Sequence, residues 1–354
     1  MIVNIKPLHT ALAILKKTAG SEMENPVVRM YSSKRILSIS LNENYISTVI
    51  KLPALGQIEP CMTVLDPLYY FTKDVKTRAI EVLANEKLSI NALATQETLL
   101  IPLKKIIPPE NTINYVDTES ISTSNLLYAL ERVTLPLEME DVTAITGDSL
   151  SGYGQNIISS AKIPNLNING ILPYAPARRL VKLFKMFPQT IHYMPDIDNQ
   201  MKFVAIRDPL EIEITVKTDP LKPSQLPVIP TPKPSFEVEI SCLYHKLRRL
   251  SLITKGIPVK TVLEFDGLNL NVKVSNNYLS STFSILTMPY CFGQGAIICN
   301  LRVLLSFLSA VKAAKKVCFC ICEKAWVLKT SLATLTITQK HREKATKARL
   351  WHKT

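Results

Sequence analysis

Three basic residues share one stripe of a predicted helix over residues 174–187. Arg178, Lys182 and Lys185 are spaced by four and then three residues, and leucines, a valine and phenylalanines occupy the opposite side. A proline suits the first turn and another ends the helix. Ammonium and guanidinium groups in such a stripe bind anions, so the stripe indicates a membrane surface, an acidic protein or a nucleic acid as partner.

The same charge pattern recurs in six helical windows. They are residues 6–20, 66–78, 123–135, 174–187, 241–255 and 300–316. Together they hold nineteen basic and three acidic residues, whereas the whole chain carries +13, so the rest of the chain is net negative. One cationic helix is usually a solvated face, but segregation over six helices favours one extended cationic surface.

Nucleic acid is the favoured partner of this surface. A membrane surface requires large exposed apolar faces, and each helix needs its leucine stripe to cover a sheet, so no membrane association is expected. Arrays for reading base edges and aromatic stacking platforms are missing, so sequence-independent contact with phosphates is predicted. The predicted DNA-binding residues are Lys16, Lys17, Lys73, Lys76, Arg132, Arg178, Arg179, Lys182, Lys185, Lys246, Arg248, Arg249, Arg302, Lys312 and Lys315.

The residue patterns of catalytic and metal sites are missing from the sequence. Its ten glycines form no complete dinucleotide or Walker fingerprint, and its five histidines stand apart. "VCFCIC" at 317–322 alternates, which places three sulfurs on one strand face without a Cys-x-x-Cys pair. Asp196 and Asp198 lie in a segment typical of a turn. We therefore predict no catalytic residues, no metal, no cofactor and no enzymatic activity.

The basic helices belong to a unit that repeats about every 59 residues. The predicted helices start at Pro7, Asp66, Ser124, Ala175, Ser241 and Asn300. Between them lie strand pairs around polar turns, such as "RILSISLNENYISTVIKL" and "KTVLEFDGLNLNVKVSNN". Two units make a normal domain, and prolines mark the linkers. The prediction is an α+β chain of three like domains, 1–115, 116–232 and 233–340, with a basic tail, 341–354.

The cellular compartment follows from the cysteines and the termini. Seven cysteines form no paired framework, and neither a secretion signal nor an apolar run long enough to span a membrane is present. These features favour a reducing cytoplasm.

These residues resemble the bacterial sliding clamp, the beta subunit of DNA polymerase III. The resemblance spans nearly the whole chain and is clearest in "VEISCLYHKLRRLSLIT", "TVLEFDGLNLNVKVSNN" and "AIICNLRVLLSFLSAV". It implies three clamp-type domains, each with two helices packed on antiparallel sheets, forming half of a closed ring. It also implies a head-to-tail homodimer around double-stranded DNA, bound without sequence preference, with a replicative DNA polymerase and a clamp loader as partners. The location would then be the bacterial cytoplasm and nucleoid, or a host cytoplasm for a viral protein.

The family's pocket for partner peptides maps onto three parts of this sequence. By position, the residues that the resemblance implies are Gly152, Tyr153, Pro230, Leu335 and Ile337. The chain departs from the family in being strongly basic and in continuing past the last strand through "QKHREKATKARLWHKT". That tail would cover the pocket, add DNA affinity or be disordered.

Three classes of function remain open from the sequence. The leading one is a non-enzymatic processivity clamp that tethers a polymerase by topology. The alternative is a non-encircling nucleic-acid-binding protein, or a regulator of a clamp or loader, built on the same fold. The third is an enzyme acting on a nucleotide or small anion, which would need a convergent acid–base set.

Overall fold

The computed structural model describes residues 1–20, 23–107, 119–138, 141–163, 168–197, 199–220, 233–255, 257, 259–291, 294–322 and 325–338. The predicted positions Asp198 and Pro230 and the tail lie outside these residues. By its internal contacts the chain divides into two compact units. The first contains Met1–Leu127, Ile145–Asp148 and Pro164–Leu221, and the second contains Tyr128–Ala144, Ser149–Ile163 and Lys222–Thr354. The division into three domains stays a prediction.

The described residues form six helices, and their starts match the sequence prediction within two residues. The helices are α1 (Ile5–Ala19), α2 (Leu65–Asp74), α3 (Thr123–Thr134), α4 (Tyr174–Phe184), α5 (Ile240–Ile253) and α6 (Leu301–Ala310). All six end before the predicted windows, with the largest differences at α4, α2 and α6. The backbone turns extended at Val75, with φ −71° and ψ 133°, and Lys316 already begins a strand. Four predicted cations therefore follow helices rather than lie within them: Lys76, Lys185, Lys312 and Lys315.

The described residues also form 25 strands, which confirms the α+β class. They are β1 (Ile2–Asn4), β2 (Val27–Ser33), β3 (Ile36–Asn42), β4 (Ile46–Leu55), β5 (Cys61–Val64), β6 (Ala79–Ala84), β7 (Lys87–Ala92), β8 (Thr98–Lys105), β9 (Glu119–Ser122), β10 (Val142–Gly147), β11 (Ser149–Tyr153), β12 (Ile157–Lys162), β13 (Ile168–Pro173), β14 (Thr190–Ile197), β15 (Gln200–Arg207), β16 (Leu210–Lys217), β17 (Phe236–Glu239), β18 (Lys260–Phe265), β19 (Asn269–Ser275), β20 (Ser280–Leu286), β21 (Met288–Pro289), β22 (Gly295–Cys299), β23 (Lys316–Ile321), β24 (Ala325–Lys329) and β25 (Thr334–Thr338).

The first unit is built on a twelve-stranded sheet with the order β1-β6-β7-β8-β5-β2-β3-β4-β16-β15-β14-β9. Strand β1 also pairs with β4, so the first eight strands close on themselves. Helix α1 packs against β3 and β4 and against α2. Its leucines, including Leu8, Leu12 and Leu15, are buried, as the leucine spacing predicts.

An ion pair reinforces the join between β4 and β16. Residues 46–51 of β4 pair antiparallel with residues 211–216 of β16. Across this ladder, Lys51 Nζ donates to Glu211 Oε1 at 2.8 Å and to Glu213 Oε1 at 2.5 Å. The two strands are thus joined by main-chain hydrogen bonds and by side-chain charges.

The second unit contains a four-stranded sheet, β20-β19-β18-β22, and a longer one in which the order runs β11-β12-β25-β24-β23-β17-β21. Strands β12 and β25 pair over 157–160 and 334–337. A cluster of aromatic rings fills the core, with Phe236 stacked on Phe265 and Phe319 at centroid distances of 4.1 and 4.7 Å. The predicted hairpins β3–β4, β6–β7, β18–β19 and β23–β24 are all present.

A buried carboxylate fastens the short strand β21 to β17. Tyr290 Oη donates to Glu237 Oε2 at 2.5 Å, and Lys316 Nζ forms an ion pair with the same carboxylate. The hydrogen bond from Lys316 and then that from Tyr290 lower the pKa of Glu237. The bond to Glu237 raises the pKa of Tyr290 to about 12. Both groups therefore hold their neutral-pH charge states firmly.

Candidate nucleic-acid interface and partner cleft

The helices bury their apolar stripe and leave most of their cations in solvent. In α4, Leu180, Leu183 and Phe184 are buried whereas Lys182 is exposed. Ten of the fifteen predicted DNA-binding residues are exposed. They are Lys17, Lys73, Lys76, Lys182, Lys185, Arg248, Arg249, Arg302, Lys312 and Lys315. Exposed cations on amphipathic helices are available to phosphate groups.

The other five predicted cations are half-buried and engaged by the protein itself. Lys16 lies between α1 and α2, where Nζ is 3.1 Å from Asp66 Oδ1 and donates to Tyr70 Oη at 3.1 Å. The same ammonium is 4.3 Å from the centroid of the Tyr70 ring. Burial opposes the charge, but the bonds to Tyr70 and Asp66 outweigh it and raise the pKa of Lys16. Lys16 is therefore charged and held in place.

Neighbouring arginines of α4 have different roles. Arg178 is half-buried with its guanidinium 5.9 Å from the Tyr174 ring. Arg179 points back toward α1, pairs with Glu43 from the β3–β4 turn and donates to Thr18 O at 3.4 Å. The Arg179 side chain is only 17% exposed and that of Glu43 12%. Arg179 thus serves packing in this unit, and we leave it out of the proposed DNA contact.

Arg132 and Lys246 are also held by neighbouring groups. The Arg132 guanidinium is 5.8 Å from the Tyr128 ring, and burial lowers the pKa of Arg132, which is nevertheless charged at neutral pH. Lys246 Nζ donates to Ser284 O at 2.7 Å and lies 5.5 Å from the Phe283 ring. Both residues have less reach toward a ligand than the exposed cations.

A cleft of 1360 Å³ opens within the second unit. It lies where the end of α5, the start of α6, the β11–β12 turn and the end of β25 meet. Its lining includes Asp141, Asn156, Ile157, Lys255, Ile337 and Thr338. Asn300 caps α6 by accepting from Arg302 N at 2.9 Å and donates to Glu138 Oε1 at 3.3 Å. Burial raises the pKa of the lining thiol Cys299 to about 12, so it is protonated at neutral pH. Apolar and polar side chains both line the cleft, which suits a peptide.

Among the predicted pocket residues that the structure describes, only Ile337 lines this cleft. Gly152 and Leu335 are buried, and Tyr153 is half-buried. A Cβ on Gly152 would lie 2.7 Å from Ser159 Oγ and 2.9 Å from Val133 O, so glycine is required there by close packing. Three lining residues were not among the predicted ones: Gln155 and Asn156 in the β11–β12 turn, and Ile157 at the start of β12.

The part of the chain that the structure describes contains no group of three side chains that could hold a metal ion. No helix within it is long and apolar enough to cross a membrane. The cysteines are free thiols. Within these residues the cationic helices and the cleft are the features that fit a ligand.

Comparison with known proteins gives a structural likeness without a sequence match. No protein-family model and no curated protein matches the sequence. The DNA polymerase III subunit beta from Pseudomonas aeruginosa superposes with a TM-score of 0.77 at 13% identity, covering 96% of this chain and 98% of that chain. The DNA polymerase sliding clamp from Caulobacter crescentus gives 0.80 at 12% identity, covering 96% and 99%. As the resemblance in the sequence predicted, the chain has the fold of the bacterial DNA polymerase III beta sliding clamp.

Proposed function

We propose that this protein is a sliding clamp, a non-enzymatic processivity factor that encircles duplex DNA. The observation that carries the proposal is the placement of ten exposed cations on or just after the helices of a clamp fold. Such cations contact phosphates without reading bases, and contacts through mobile side chains allow the protein to slide. The proposed partners are double-stranded DNA, a replicative DNA polymerase and a clamp loader, and the expected location is the cytoplasm.

The strand pairings support a head-to-tail homodimer. Helices α1, α3 and α5 are each followed by three strands, of which the third is β4, β12 and β20, respectively. Helices α2, α4 and α6 are also followed by three strands, of which the third is β8, β16 and β25. Short further strands come after some of these: β5 follows β4, β13 follows β12, and β21 and β22 follow β20. Two of these third strands pair with the next predicted domain: β4 with β16, and β12 with β25. Strand β20, which pairs only with β19 among the described residues, and residues 98–102 of β8, which pair only with β7, are left over. Pairing β20 of one protomer with β8 of the other repeats the same join and closes a ring.

Exposed apolar residues at the end of α5 support the same assembly. At the β4–β16 join, the end of α1 lies against α4, where Arg179 contacts Thr18. By equivalence, the end of α5 would lie against α2 of the second protomer. There Leu252 is 67% and Ile253 57% exposed, which is unusual for adjacent large apolar side chains. A partner helix would bury both.

The cleft of the second unit is the proposed docking site for the polymerase and the loader. Its lining includes the apolar Ile157, Leu301 and Ile337 and the polar Asn156 and Lys255. A short partner segment with apolar side chains would fill it and use the polar groups for orientation. Of the residues predicted for the pocket, Ile337 belongs to this proposed site, and the assignment of the others stays a prediction.

Topology is the decisive test of the proposal. Protomers are separated by dilution and re-concentrated with nicked circular plasmid, so that rings close around DNA, and the DNA is isolated by gel filtration. We expect co-elution with circular DNA at about 200 mM salt and loss of the protein after one restriction cut, because a ring slides off an end. Equal retention on circular and linear DNA would instead support the non-encircling alternative, and the circle cut in a sample without protein serves as the size control.

A further inference from the structure

Tyrosines recur beside the cations of the helical surface. Four cations of the predicted set lie within 6 Å of a tyrosine ring: Lys16 by Tyr70, Arg132 by Tyr128, Arg178 by Tyr174 and Lys312 by Tyr244. These distances are those of cation–π pairs. The four tyrosines come from four different helices, α2 to α5. A tyrosine next to a predicted DNA-binding cation is thus repeated on four of the helices.

Tyr70 has an exposed side chain whose hydroxyl can donate a hydrogen bond. Its side chain is 51% exposed, and its Oη accepts a hydrogen bond from Lys16 Nζ at 3.1 Å. Because the oxygen is the acceptor in that bond, the phenolic proton is available for another acceptor. Asp66 balances the charge of Lys16 at 3.1 Å, so a phosphate at this point gains less from the ammonium than from an unpaired lysine. The hydroxyl then becomes the main donor of the pair.

Tyr128 on α3 offers a second exposed hydroxyl. Its side chain is 52% exposed, and its ring lies against Arg132, which is half-buried. Within the described residues no hydrogen bond engages the Tyr128 hydroxyl. The ring therefore contacts the arginine while the hydroxyl is left for a further partner.

We propose that Tyr70 and Tyr128 are DNA contact residues whose hydroxyls donate to backbone phosphates beside Lys16 and Arg132. This inference rests on the proposed DNA-binding function and adds a component that carries no charge. A neutral donor releases no counterion, so its contribution to affinity does not depend on salt, whereas each lysine–phosphate contact steepens the salt dependence. The two kinds of contact are therefore separable by experiment.

The test compares variants of the full chain by fluorescence anisotropy on a short labelled duplex between about 50 and about 200 mM salt. Tyr70→Phe and Tyr128→Phe keep the ring and remove the hydroxyl. We expect each to weaken binding about three- to tenfold at every salt concentration, with the slope of log affinity against log salt unchanged. Lys17→Ala should instead reduce that slope by about 0.9.

The matched control is Tyr278→Phe, because Tyr278 is 96% exposed in the turn after β19 and its ring contacts no cation among the described residues. It should bind like the wild type. Wild-type affinity in both Tyr70→Phe and Tyr128→Phe would overturn the inference and leave the clamp proposal standing. A reduced salt slope in those variants would also overturn it, since the tyrosines would then act only by positioning the cations. Failure of the wild type to load onto the circular plasmid of the topology test would instead refute the proposed function itself.

Discussion

Replacing the exposed apolar pair at the end of α5 should dissociate the proposed dimer into monomers. Leu252 and Ile253 are 67% and 57% exposed in one chain, and the predicted contact with α2 of a second protomer would bury this exposed surface. Full burial of such a side chain contributes about 1.5 to 3 kcal/mol, so the remaining exposed part contributes about 1 to 2 kcal/mol per residue. The pair then supplies about 2 to 4 kcal/mol to one interface.

A ring of two protomers contains this interface twice. The loss on removing both side chains is therefore about 4 to 8 kcal/mol, which raises the dimer dissociation constant by a factor of about 10³ or more. Leu252→Asp/Ile253→Asp should exceed this loss, because a carboxylate would be desolvated against α2. The fold itself should be unaffected, since both positions are exposed in the single chain.

Light scattering behind a sizing column, over a range of protein concentrations, measures the effect. The wild type should elute near twice 39.6 kDa and the double variant near 39.6 kDa. Ile206→Asp is the matched control, because Ile206 is also 67% exposed but lies on β15, away from the predicted contact. An unchanged dimer in the double variant, or equal dissociation in the control, would refute the reasoning.

Three further predictions concern charge. Arg178→Glu/Lys182→Glu/Lys185→Glu should impair loading onto circular DNA while leaving the melting temperature nearly unchanged, and unaltered loading would remove α4 from the proposed DNA surface. Arg179→Ala should lower the unfolding free energy, measured by urea titration, by about 2 to 4 kcal/mol, because it leaves the Glu43 carboxylate, 12% exposed, without its ion-pair partner. Arg178→Ala should lower it by less than about 0.5 kcal/mol, and equal losses would contradict their different roles. Glu237 has a folded pKa below its unfolded value, so its stabilisation is complete above about pH 4.3 and is lost as the pH falls through the folded pKa. Urea titrations should therefore show wild type and Glu237→Gln converging in acid, and a constant gap at all pH values would contradict this.

Helix positions were predictable because the leucine spacing and the charge pattern are local properties. The starts of all six helices lie within two residues of the predicted ones. The ends of α2 and α6 were predicted wrongly, since a helical pattern of apolar and basic residues continues past Asp74 and Ala310. Sheet pairing overrides this local pattern after α6, where Lys316 pairs with Glu239 of β17.

The candidate surface was predictable in outline but not residue by residue. Arg178 and Arg179 are neighbours in one helix, and only the tertiary partner Glu43, far away in sequence, distinguishes the packing role of Arg179 from the proposed DNA contact of Arg178. The tyrosines beside the cations were not predicted as DNA contacts, because amino-acid composition does not show where their rings lie. One tyrosine on or beside most of the basic helices was the signal in the sequence that would have identified them.

The β4–β16 join has a mechanical consequence for the proposed ring. Six residue pairs and the bridge from Lys51 to Glu211 and Glu213 hold this seam, and the chain itself runs through both sides of it. A seam between protomers would have no such covalent continuity. When a loader strains the proposed ring, this part of the protomer would stay rigid. The ring would therefore open at the interface between protomers, where β8 and β20 pair.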